Sequence, residues 1–116
     1  MTDTLLHLEH WVGVCDVADL AIDRGACVLV GGRQVALFRL APGDRVHAIS
    51  NFDPFSSAFV LSRGIVGSRG DVAKVASPMY KQSFDLETGR CLDEPTVAVE
   101  VFEVRCDEGR VLVRCP

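Results

Sequence analysis

The sequence predicts an all-β fold, an antiparallel β-sandwich or barrel with a small β insert, and two observations predict it. Apolar residues recur with period two, most regularly over 97–104. There Val97, Val99 and Val101 share one face and Glu100 lies on the other. Turn signals interrupt such runs at short intervals, at Gly31-Gly32, Pro42-Gly43-Asp44, Thr88-Gly89 and Asp107-Glu108-Gly109. At 116 residues the chain is read as one domain, a size that buries roughly 65% of the unfolded surface.

The elements follow in order. Residues 11–14 are expected to form the first strand. Residues 16–20 then make one helical turn with Asp16 as N-cap, because a carboxylate accepts the free N–H groups at such an end. Strands over 27–30 and 34–40 flank Gly31-Gly32, since glycine adopts the positive φ of a tight hairpin turn. Pro42-Gly43-Asp44 leads to a strand over 45–49. These segments form a meander whose buried face carries Val28, Val30, Val35, Leu37, Val46 and Ala48. Residues 51–91 form a smaller insert with brief strands at 65–66, 72–76 and 83–86, and a return turn at Thr88-Gly89. The last hairpin is expected to pair 97–104 with 110–114 across Asp107-Glu108-Gly109. Residues 10–50 and 92–115 thus make the larger β unit.

Composition narrows the function classes. An apolar fraction of 48% with 24% charged residues is that of an ordinary globular protein. A net charge of −4 argues against a nucleic-acid binder, which would carry a basic face. No segment reaches the length of a membrane span and the N-terminus lacks the pattern of an export signal, so no membrane role and a cytoplasmic location are expected. Cys15, Cys27, Cys91, Cys106 and Cys115 contain no Cys-x-x-Cys pair and are odd in number, which reads as reduced thiols. His7 and His10 lie three apart, with His47 far away in a strand. A polar N-terminal lead-in is the favoured reading over a metal pair.

Two loops carry the informative pattern. The first reads Ser50-Asn51-Phe52-Asp53-Pro54-Phe55, followed by Leu61-Ser62-Arg63-Gly64. The second reads Ala76-Ser77-Pro78-Met79-Tyr80, followed by Phe84-Asp85-Leu86-Glu87-Thr88-Gly89. This frame resembles a Rieske iron–sulfur domain, which has Cys-Pro-His in the first loop and Cys-Pro-x-His in the second. Both prolines stand here, but the four ligand positions read Asp53, Phe55, Ser77 and Tyr80. A [2Fe–2S] centre of that type needs two thiolates and two imidazoles. Phe55 has no donor, and Asp53, Ser77 and Tyr80 offer only hard oxygen. No cofactor and no metal are therefore expected in this chain. The favoured reading has Phe55 and Tyr80 filling the space of a cluster, over a hard-metal site built from Asp53, Ser77 and Tyr80.

The chain as a whole resembles the small subunits of the assimilatory NAD(P)H-dependent nitrite reductases, which look like Rieske domains stripped of their ligands. The resemblance rests on Trp11, on Val35-Ala36-Leu37-Phe38-Arg39, on His47-Ala48-Ile49-Ser50-Asn51, and on both loops. It implies a large catalytic subunit bearing flavin, siroheme and an iron–sulfur cluster, which reduces nitrite to ammonium in nitrate assimilation.

Read for chemistry, the residues point the same way. Neither loop holds a histidine, no glycine-rich phosphate loop follows a strand, and no nucleophile stands beside a base. The expectation is a non-catalytic subunit. Its partner-binding end is placed at Pro54, Phe55, Phe59, Pro78, Met79 and Tyr80, because exposed apolar and aromatic groups anchor interfaces. The competing expectation is that several of these side chains pack against one another; Met79 and Tyr80 are expected to be exposed and Phe55 partly buried. Two other functions remain open at this level. One is a ferredoxin-like Rieske [2Fe–2S] electron carrier; the other is an enzyme using Asp53, Ser77, Tyr80 and Lys81.

Overall fold

The computed structural model describes residues 10–41 and 45–115. His7 and the expected turn at Pro42-Gly43-Asp44 lie outside the described residues. Strand β1 (Trp11–Asp16) runs two residues past its expected end, and a single 3-10 turn, Val17–Asp19, follows. Asp16 is the N-cap in extended backbone, and its N–H donates to Asp19 Oδ2 at 3.0 Å. That is the reciprocal half of a capping box, with the turn's own carboxylate reaching back.

Strands β2 (Gly25–Val30) and β3 (Arg33–Leu40) are closed by Gly31 and Gly32, whose φ angles are 57° and 80°. Positive φ at both central residues matches the twist of the flanking strands, which fixes Val30 opposite Arg33. Strand β4 (Arg45–Ser50) pairs with β3 through Leu37 opposite Ala48. Then come the short strands β5 (Phe52–Asp53) and β6 (Ala58–Phe59), a 3-10 turn at Leu61–Arg63, and the strands β7 (Ile65–Arg69), β8 (Val72–Ala76) and β9 (Ser83–Asp85). The chain ends in β10 (Val101–Phe102), β11 (Val104–Asp107) and β12 (Arg110–Arg114). The described strands form four antiparallel sheets, ordered β1-β12-β11, β10-β4-β3-β2, β5-β6 and β7-β8-β9.

Two expectations are corrected. The run 97–104 is not one strand paired with 110–114. Val101 and Phe102 pair with Ile49 and Ala48 of β4, whereas Val104 to Asp107 pair with β12. Ala98 forms only an isolated bridge to Arg90. The segment crosses from one sheet to the other, so its alternation serves three different neighbours. Its hairpin closes on Glu108-Gly109 alone, since Asp107 already pairs with Arg110.

The second correction concerns burial. The four-stranded sheet is a central layer between two cores. Val30, Val35, Leu37 and Ala48 pack with Phe102, Val111 and Val113 on one side, with Val28 and Val46 half-buried beside them. This is the expected face. The opposite face is buried too: Ala36, Phe38, Leu40 and Ile49 pack with Leu61, Val75, Phe84, Leu86 and Cys91 of the insert region. The insert folds back over the sheet rather than hanging from it.

Candidate functional site

The two proline loops meet through one hydrogen bond. Ser77 Oγ donates to Asp53 Oδ2 at 2.5 Å, and both side chains are buried, at 1% and 0% exposure. Short strands carry them there: β5 ends at Asp53, and Ser77 follows β8. Asp53 Oδ1 accepts the Phe55 N–H at 2.9 Å, and Oδ2 also accepts the Ser56 hydroxyl at 2.9 Å. A buried carboxyl group is costly unless it is hydrogen-bonded, and here three donors serve it, two on Oδ2 and one on Oδ1. Ser77 organises its own loop in turn. Its Oγ accepts the Met79 N–H at 3.2 Å, its carbonyl accepts the Lys81 N–H at 3.0 Å, and its N–H donates to the Gln82 carbonyl at 2.9 Å.

Behind the first loop, Asn51 is a hub that sequence reasoning recorded only as part of a motif. Its Oδ1 accepts the Ser62 N–H at 2.7 Å and its Nδ2 donates to Gln34 Oε1 at 3.1 Å. It therefore ties the Leu61-Ser62-Arg63-Gly64 segment to β3. The signal available in the sequence was a lone asparagine two residues past a predicted strand, inside the first loop.

The aromatic positions divide. Phe55 is half-buried and leans on Phe84, with ring centroids 6.1 Å apart. Tyr80 is 60% exposed and Met79 54% exposed, so Tyr80 does not share with Phe55 the filling of the space between the loops. Pro78 is exposed and Pro54 half-buried. Phe59 faces elsewhere: it stacks near Phe52 at 5.2 Å and lines a cleft of about 340 Å³ with Gly32, Arg33, Gln34, Ser50, Glu100 and Phe102. None of those lining residues belongs to the second loop. Ile65, which the sequence reading did not single out, is 75% exposed and pairs with Ala76, beside the root of the second loop. Ile65 and Val66 are both apolar, so no alternation in the sequence marked which of them faces out.

These side chains do not fit a [2Fe–2S] centre. The two positions that would supply thiolates are an aspartate and a serine already bonded to each other. The two that would supply imidazoles are a phenylalanine packed on the core and a tyrosine turned outward. Among the described residues, no three or more histidine, cysteine, aspartate or glutamate side chains converge as a metal site. Among the described residues the five cysteines form no disulfide, and Cys91 is buried in the second core. Burial pushes the Cys15 and Cys27 thiols above their ordinary value, which disfavours the reactive thiolate.

Comparison with known proteins places this arrangement. The family model of the Rieske-like [2Fe-2S] domain matches residues 10–114. The nitrite reductase (NADH) small subunit of Salmonella typhimurium is 40% identical over 107 residues, covering 92% of this chain and 99% of that protein. The chain belongs to the nitrite reductase small-subunit family. A solved member of that family, a putative NADH-dependent nitrite reductase small subunit from Mycobacterium tuberculosis, is 51% identical with a TM-score of 0.85. The match covers 89% of this chain and 92% of that one. The family's fold also recurs inside a larger protein. The nitrite reductase [NAD(P)H] large subunit of Klebsiella oxytoca is 41% identical over 103 residues, which is 89% of this chain but 11% of that protein.

Proposed function

We propose that this chain is the small, non-catalytic subunit of a cytoplasmic NAD(P)H-dependent nitrite reductase of nitrate assimilation. It docks on a large subunit that carries flavin, siroheme and an iron–sulfur cluster and reduces nitrite to ammonium. The observation that carries this reading is the end-to-end match to small subunits of NADH nitrite reductase, with a copy of the same domain inside a large subunit. The loop chemistry supports a subunit without a redox group of its own, because the Asp53–Ser77 pair and Phe55 occupy the ligand positions with groups that bind iron–sulfur clusters poorly. The role is then to complete or steady the catalytic partner.

Co-expression with the large subunit from the same genome tests the proposal. The two chains are expected to co-elute on gel filtration and to oxidise NADH or NADPH when nitrite is added. The lone chain, purified without oxygen, is expected to be colourless and to hold no stoichiometric iron or acid-labile sulfide. A coloured, iron-bearing lone chain would instead assign it to the ferredoxin-like electron carriers.

A further inference from the structure

We infer that the segment Pro78 to Lys81, with Ile65 beside it, is the surface that docks on the catalytic large subunit, and that the Asp53–Ser77 pair holds it in shape. The inference rests on the function proposed above and names the surface that function uses.

The surface is argued from exposure. Ile65, Met79 and Tyr80 are three of the most exposed large apolar side chains among the described residues, at 75%, 54% and 60%. Ile65 pairs with Ala76, the residue before Ser77, so all three stand at the same end of the β7–β8 hairpin. Leaving such groups in water forgoes the gain of burying apolar surface, and apolar exposure gathered at one end of a small domain marks a contact surface. Tyrosine in particular anchors interfaces, because it offers wide area, few rotors and a hydroxyl. The occupant follows from the relatives. In the Klebsiella oxytoca protein this domain is part of the large-subunit polypeptide, so a domain of this fold is joined to the catalytic chain itself. A separate small subunit must recover that proximity by contact.

The positioning role is argued from the hydrogen bonds. Exposed loops that bind must be rigid beforehand, or ordering them subtracts from affinity. The second loop has no strand pairing between Ser77 and Gln82; its shape depends on bonds to Ser77 itself. Ser77 in turn is fixed from outside the loop by Asp53. The chain of bonds runs from Asp53 Oδ2 through Ser77 Oγ to the Met79 N–H, which lies in the exposed surface. Asp53 and Ser77 are buried and cannot touch a partner, so any effect they have on binding passes through that loop.

Four variants of the full chain test both parts against the purified large subunit: Tyr80→Ala, Met79→Ser, Asp53→Asn and Ser77→Ala. The surface variants change only exposed side chains and are expected to stay folded. Tyr80→Ala should weaken association about thirtyfold, the scale of a hot-spot truncation. Asp53→Asn and Ser77→Ala should each weaken it about tenfold and speed amide exchange at Met79 in the lone chain, with no further loss when the two are combined. Unchanged affinity in both Tyr80→Ala and Met79→Ser would overturn the surface. Unchanged Met79 exchange in Ser77→Ala would overturn the positioning role. A lone chain that dimerises through Tyr80 would also overturn the surface, by showing that a second copy covers it. If the unaltered chain itself fails to bind the large subunit, the function proposed above falls, and that result is distinct from loss confined to the variants.

Discussion

Phe55 and Tyr80 stand where a cluster would need imidazoles, yet their surroundings are opposite. Phe55 packs on Phe84 at the margin of the second core, and Tyr80 projects from the second loop. Truncation separates them. Phe55→Ala is expected to cost about 2 kcal/mol in the lone chain, below the roughly 3–5 kcal/mol of a fully buried ring, because Phe55 is only half-buried. Tyr80→Ala should leave stability within about 0.5 kcal/mol. Urea unfolding of both variants checks the contrast, and equal losses would refute it. At this scale the sequence disclosed much: the identities at 53, 55, 77 and 80 already excluded soft donors. What it could not disclose was that Asp53 and Ser77 bond to each other. Residues 24 apart share no local signal; only the fold brings them within 2.5 Å. Likewise Phe59 looked like a member of the loop-tip group because it is aromatic and near Pro54 in sequence, but pairing with Phe52 turns it towards a separate cleft.

Among the elements, the hairpin at Gly31-Gly32 was legible because its cause is local: two positive φ angles need glycine. The crossing at 99–104 was not. Alternation reports that neighbours exist on both faces, not which sheet supplies them, and a single strand and a switch between sheets have the same period. Gly64 shows a third case, a close approach hidden in a motif. Its φ of −72° suits any residue, but an added Cβ would run into the Ala76 carbonyl oxygen and Val75 Cγ2. Glycine is thus required there by β8 packing and not by backbone conformation. Gly64→Ala is expected to destabilise the chain by about 1–3 kcal/mol, the cost of overpacking. Gly67→Ala, three residues on in β7 with nothing near an added Cβ, should change stability by less than about 0.5 kcal/mol. Thermal melts of the two variants give the comparison, and a Gly64→Ala chain as stable as its parent would remove the steric argument.

Across the whole molecule, the central sheet couples two cores, and β3 is buried on both sides. The sequence held a sign of this, since Val35-Ala36-Leu37-Phe38 is a continuous apolar run, the pattern of a strand covered on both faces. The expected buried face of Val28, Val30, Val35, Leu37, Val46 and Ala48 takes in only one side of that run. His47 lies at the second junction. It sits on β4 next to Ala48, hydrogen-bonds the Leu86 backbone from the insert, and keeps its Nε2 buried with no hydrogen-bond partner. Burial pushes its pKa below the usual histidine value, and Arg45 pushes the same way. Glu87, Asp85 and the Leu86 bond oppose them without reversing the direction. The folded chain therefore binds fewer protons at this site than the unfolded chain does below about pH 6.5, the ordinary histidine value. Stability rises with pH wherever the unfolded state binds more protons, so His47's contribution is fully present above about pH 6.5 and is lost as pH falls towards its lowered folded value. A charged imidazolium would also bring a second N–H donor into a buried position that offers no acceptor. His47→Gln removes the titration while retaining a polar side chain. The parent is expected to lose more stability than His47→Gln between about pH 7 and pH 5.5, a window above most carboxylate titrations. Chemical denaturation across that range measures it. Parallel stability curves for the two proteins would show that the junction between the sheet and the insert is indifferent to the charge on His47.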